Sequence, residues 1–175
     1  DLNKRDALLV FAVLCPLGIA SSFFVNTTCF LIAVVSAILA VAYDAVLKRF
    51  KPVGNLYIAY SMAIPFVFGA TATLETNALT FDIPLAIIVV ASVAFLAGVG
   101  REAMKDIQDV SGDGKMGVRS VATMLGVRAA SAYATAFYIS AIALAFVPFL
   151  LTSFDVYYHN VYYIVPVLAT DAMLI

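Results

Sequence analysis

A chain of 175 residues that is 64% hydrophobic and only 12% charged is not a water-soluble domain, in which about a quarter of the residues carry charge. The net charge of −1 carries little information because the charges are segregated along the chain, and no nucleic-acid partner is expected. Two cysteines in apolar runs, Cys15 and Cys29, read as small core hydrophobes, and with one histidine they exclude a disulfide framework or a Cys/His metal centre.

A transmembrane helix needs about 20 predominantly apolar residues. Six stretches reach or approach that length. The first runs from about Ala7 to Val25 and ends at a polar break, Asn26-Thr27-Thr28, which matches a glycosylation sequon too short to carry weight. The second runs from about Cys29 to Leu47 and stops at Lys48-Arg49-Phe50-Lys51-Pro52. The third spans about Asn55 to Leu74, followed by a polar link from Glu75 to Asp82. The fourth begins near Pro84 and continues into a charged helix. The fifth covers about Ala130 to Leu151, and the sixth starts near Val161 after the link Thr152 to Asn160. The fold class predicted is all-α, a multi-pass transmembrane bundle. Small residues such as Ser36, Ala37 and Ala40, and Ala91, Ala97, Gly98 and Gly100, predict close helix packing.

If the N-terminus is cytoplasmic and the helices alternate, all ten Lys and Arg residues fall on one side. The opposite links carry only Glu75, Asp82 and Asp155. That split obeys the positive-inside rule and places the charged stretch after the fourth run on the cytoplasmic face. His159 falls on the far side.

The charged stretch is Arg101 to Ser120, REAMKDIQDVSGDGKMGVRS. On one continuous helix Glu102, Asp106, Asp109 and Asp113 share a face. Their mutual repulsion is relieved if a cation sits among them, and oxygen-only ligands suit Mg²⁺ or Ca²⁺. The interleaved Lys105, Lys115 and Arg119 then point to an anion, most simply a phosphate. Charge spacing alone is equally consistent with a solvated, salt-bridged loop. A second cluster at the same face holds Tyr43, Asp44, Lys48, Arg49, Gly54 and Asn55. Lys48 and Arg49 could neutralise a phosphate, and Tyr43 could face a cation. The same residues also suit simple anchoring at the headgroup boundary. Asp44 and Asp171 lie in or near apolar runs, where a carboxylate is costly and a paired or functional role is the default expectation. Phe66, Phe68, Tyr57 and Tyr60 on the third run, with Phe137 and Tyr138 on the fifth, could wall a long isoprenoid chain.

These residues resemble the UbiA superfamily of intramembrane prenyltransferases. Lys105-Asp106-Ile107-Gln108-Asp109-Val110-Ser111-Gly112-Asp113, with Lys115-Met116-Gly117-Val118-Arg119-Ser120, is similar to the family's second aspartate-rich motif and its tail. Tyr43 to Arg49 with Gly54-Asn55, and then Pro65 and Gly69, resemble the segment one hairpin upstream. The resemblance implies nine transmembrane helices, of which about six are present, in a single membrane-embedded prenyltransferase domain over residues 1–175 that is incomplete at both ends. The family's first aspartate motif is not in this chain. The resemblance further implies Mg²⁺ on a prenyl diphosphate, held by Glu102, Asp106, Asp109 and Asp113. Tyr43, Lys48, Asp109 and Asp113 are the implied catalytic residues, and Arg49, Asn55, Arg101, Lys105, Lys115 and Arg119 the substrate-binding ones. The motif is most similar to the archaeal ether-lipid members, which implies transfer of geranylgeranyl to the hydroxyl of geranylgeranylglyceryl phosphate. An aromatic acceptor of quinone synthesis is the alternative within the family, and a cation-binding transporter the alternative outside it. Acids gathered at one mouth rather than deep in several helices disfavour the transporter.

Overall fold

The computed structural model describes residues 3–73 and 83–174; the link expected around Glu75 and Asp82 lies outside them. The described chain is helical throughout: α1 (Lys4–Phe23), α2 (Thr27–Ala45), α3 (Lys51–Ala72), α4 (Leu85–Gln108), α5 (Val110–Lys115), α6 (Val121–Leu125), α7 (Val127–Ala145), α8 (Val147–Leu150) and α9 (Val161–Leu174). Short 3₁₀ turns occupy Leu47–Arg49 and Thr152–Phe154. The β-type pairing among the described residues is a single parallel bridge between Phe50 and Arg119.

Among the described residues, five stretches are long and apolar enough to cross a membrane: Arg5–Phe23, Thr27–Ala45, Lys51–Ala72, Leu85–Gln108 and Val127–Leu150. Val161–Met173 is a shorter apolar helix. The protein is therefore a multi-pass integral membrane protein, and the all-α bundle expected from composition is the one observed.

The boundaries differ in instructive places. The third helix starts at Lys51, not near Asn55, because Pro52 sits in the first turn, where a missing N–H costs nothing. The polar break before α2 is its cap: the Asn26 side chain accepts from the Cys29 N–H at 2.8 Å and donates to the Thr71 carbonyl at 2.7 Å. Asn26 thus ties the start of α2 to the end of α3. The acid helix is not continuous. It ends at Gln108 and restarts at Val110, with Asp109 between the two segments. Gly112 and Gly114 weaken helix propensity there by about 1 kcal/mol each relative to alanine.

α4 packs extensively against both α3 and α7. The contact surfaces are built from small residues, with Ala59 and Ala63 of α3, Val99 and Ala103 of α4, and Ala130, Ala134 and Ala141 of α7 all buried. A Cβ on Gly98 would lie 3.1 Å from the Ala59 Cα, and one on Gly100 would lie 3.2 Å from the Tyr138 ring. Both glycines therefore serve helix packing. By contrast α1 leaves Leu8, Leu9, Val13, Leu14 and Leu17 exposed. Cys29 is fully buried with its Sγ 3.3 Å from Thr71 Oγ1, while Cys15 is only half-buried.

Candidate functional site

The site forms where the end of α2, the start of α3 and the end of α4 meet. Main-chain contacts set that meeting. The Lys51 N–H donates to the Arg119 carbonyl at 2.9 Å, next to the Phe50–Arg119 bridge. The segment after α5 folds back through Gly117, whose φ of +68° favours glycine, and the Val118 N–H returns to the Asp113 carbonyl at 3.0 Å. Ser120 then starts α6 with a reciprocal capping box to Thr123. On the other side a Cβ at Gly54 would meet the Leu47 carbonyl at 3.1 Å and the Tyr43 ring at 3.2 Å, so glycine lets α2 and α3 close up.

These elements enclose a cleft of about 120 Å³ lined by Tyr43, Lys48, Lys51, Gly54, Asn55, Glu102, Lys105, Asp106 and Asp109. Asp106 is buried on α4 and has two partners. Asn55 Nδ2 donates to its Oδ2 at 2.7 Å, and Lys51 Nζ lies 2.9 Å from its Oδ1. The same ammonium lies 2.6 Å from Asp113 Oδ2. That oxygen is buried and the ammonium approaches it outside hydrogen-bonding alignment, so the contact is an ion pair. Glu102, also buried, is held by Arg101 Nη1 at 2.6 Å and by Lys105 Nζ at 3.2 Å.

The expected site residues separate into three groups. Tyr43, Lys48, Asn55, Glu102, Lys105, Asp106 and Asp109 come together in the cleft. Asp113 and Arg101 adjoin it through Lys51 and Glu102 respectively. Lys115 and Arg119 are exposed and outside the lining, and the side chain of Arg49 lies outside the described residues. Lys48 lines the cleft, but its ammonium is paired with exposed Asp44 at 2.8 Å, one helical turn away. Asp44 is thus a surface partner at the end of α2. Asp171 is buried in α9, and its Oδ2 has no hydrogen-bond partner among the described residues. Among the aromatic residues, Tyr43 stacks on Tyr57 with centroids 4.8 Å apart, Tyr57 lies 6.4 Å from Tyr60, and Tyr60 Oη is 2.9 Å from Ser36 Oγ. His159 stacks on Tyr158, in the loop before α9.

Lys51 is the site residue that sequence reasoning missed. It sits in a run of cations that looks like a headgroup anchor. The available signal was Pro52, which marks a helix start and makes Lys51 the first residue of α3.

Among the described residues no three carboxylate, histidine or cysteine groups converge to hold an ion together. The acids are divided instead, with Glu102 between Arg101 and Lys105, and Asp106 with Asp113 around Lys51. A cation nonetheless already stands between Asp106 and Asp113, the donors are all oxygen, and Glu102 and Asp109 line the same cleft. That donor set fits a hard cation.

A family profile described as the UbiA prenyltransferase family matches residues 1–175, the whole chain. The chain belongs to the UbiA prenyltransferase family. It is 40% identical over 176 residues to a digeranylgeranylglyceryl phosphate synthase of Archaeoglobus fulgidus, covering 100% of this chain and 57% of that protein. A digeranylgeranylglyceryl phosphate synthase of Methanoculleus marisnigri is 33% identical over 149 residues, covering 85% of this chain and 51% of that protein. A solved structure from work on the biosynthesis of digeranylgeranylglyceryl phosphate synthase in membranes superposes with a TM-score of 0.77 at 27% identity, covering 98% of this chain and 57% of that one. This UbiA-family chain thus spans about half the length of the relatives it matches.

Proposed function

We propose that the full-length protein transfers a geranylgeranyl group from its diphosphate to the free hydroxyl of geranylgeranylglyceryl phosphate, in the synthesis of membrane ether lipids. The observation that carries this reading is the cleft itself: carboxylates and ammonium groups interleaved at one end of an otherwise apolar bundle. The relatives named above supply the acceptor. The activity is prenyl transfer with diphosphate as leaving group, carried by one membrane-embedded domain.

Asp109 and Asp113, with Asp106 and Glu102, would hold Mg²⁺, which when bound would supply positive charge to the departing diphosphate. Asn55 orients Asp106 by its 2.7 Å hydrogen bond. Lys105 and Arg101 hold Glu102 and present their remaining N–H groups to phosphate oxygens, with Lys48, Arg49, Lys115 and Arg119 as further cations for the same anion. The Tyr43 ring, stacked on Tyr57 and lining the cleft, would stabilise the carbon that becomes cationic as the C–O bond to diphosphate breaks. Apolar helix walls exclude the water that would otherwise trap it. Segregation of the basic residues supports a cytoplasmic orientation of this cleft by the positive-inside rule.

The test is prenyl transfer by the full-length protein in detergent or bilayer, with geranylgeranyl diphosphate and Mg²⁺, with and without EDTA. Geranylgeranylglyceryl phosphate is offered beside 4-hydroxybenzoate, homogentisate and 1,4-dihydroxy-2-naphthoate. EDTA-sensitive transfer to the glyceryl phosphate is expected. Transfer to an aromatic acceptor alone would move the protein to quinone synthesis, and no binding of the diphosphate would remove the enzyme reading.

A further inference from the structure

We infer that Lys51 is a resident counter-cation of the Asp106–Asp113 pair, one that a divalent ion must displace and that is thereby released toward the diphosphate. The inference rests on the reading of this cleft as a metal–diphosphate site. Lys51 is three-quarters buried at the side chain, its Nζ lies 2.9 Å from Asp106 Oδ1 and 2.6 Å from Asp113 Oδ2, and both carboxylates are over nine-tenths buried. Two such carboxylates are not stable side by side without a positive charge, and Lys51 supplies one. A divalent ion between the same oxygens cannot coexist with the ammonium there, because like charges at this separation repel strongly in a poorly hydrated site. The backbone of Lys51 is fixed by its N–H bond to the Arg119 carbonyl at 2.9 Å, so the flexible four-carbon stem is what moves. It moves within the cleft it already lines, where the diphosphate would lie. The exchange replaces one positive charge with two at the acid pair and frees an ammonium for the anion, with no change in its protonation.

The experiment measures Mn²⁺ binding to the full-length protein by electron paramagnetic resonance without diphosphate, with Asp113→Asn to identify the binding step that belongs to this pair. Lys51→Met is expected to tighten that step by roughly tenfold, the scale of losing one charge-assisted competitor, while Lys51→Arg stays within about twofold of wild type. Unchanged or weaker Mn²⁺ binding in Lys51→Met would overturn the proposal, as would equal tightening in Lys51→Arg. A readout on the unaltered protein guards against a misfolded variant: trace acetylation mapped by mass spectrometry should show Lys51 becoming more reactive when Mg²⁺ is added, and no increase would overturn the proposal. No Mn²⁺ binding by either wild type or Lys51→Met would remove the metal reading as well, whereas binding by wild type that is insensitive to Lys51 would remove only the role given to Lys51.

Discussion

Asp109 and Asp113 were expected to behave alike, and the structure gives them different surroundings. Asp109 is exposed on the cleft, whereas Asp113 is buried against Lys51. Asp109→Ala should therefore abolish turnover and leave the fold within about 0.5 kcal/mol of wild type, as surface substitutions usually do. Asp113→Ala should abolish turnover and also destabilise by about 1–3 kcal/mol, since it removes a buried partner of a cation. Kinetics beside thermal melting in detergent separates the two, and near-normal turnover in either variant would remove it from the site. Asn55 belongs with Asp113 in this respect. Asn55→Ala takes away the donor to Asp106 Oδ2 and should cost a similar amount, while Asn55→Asp, which sets a second carboxylate at 2.7 Å, should cost more. The acids were legible in the sequence because their spacing is helical. The role of Lys51 was not, because it depends on where the start of α3 lies relative to the end of α4, and that is set by main-chain bonds to Arg119 that no side-chain pattern announces.

At the scale of the elements, length and apolar composition were enough to find the membrane-crossing helices, since few other structures satisfy a run of some 20 apolar residues. Their ends were harder to place. Pro52 begins a helix rather than ending one, Asp109 interrupts one, and α7 stops at Ala145 so that Pro148 falls in the first turn of α8. Two glycines give a test of what holds the elements together. Gly98→Val should force α3 and α4 apart, because its Cβ would lie 3.1 Å from the Ala59 backbone, and the expected loss is about 1–3 kcal/mol or more. Gly112→Ala meets nothing within 4 Å in the helical α5 and should be neutral or stabilising by up to about 1 kcal/mol. Melting temperatures in one detergent compare the pair directly; equal losses would mean that α3 and α4 are not held by that contact.

For the whole molecule, the distribution of charge makes an orientation testable. Met116 is 76% exposed beside the acid segment. A single cysteine placed there, with Cys15 and Cys29 replaced by alanine, should react with a membrane-impermeant maleimide in inverted vesicles and not in right-side-out ones. The opposite pattern would put the cleft on the other face and break the link between basic residues and cytoplasm. Exposed apolar side chains along α1, in a chain that spans about half the length of its relatives, mark surfaces for hydrocarbon or for other helices.

The tie between Phe50 and Arg119 is made of peptide groups, not side chains. Its register is therefore indifferent to which residue occupies position 119, provided the residue is not one that bends the backbone away. Arg119→Ala consequently offers an unusually clean substitution: the frame that brings the two halves of the cleft into register stays in place while the guanidinium alone is subtracted.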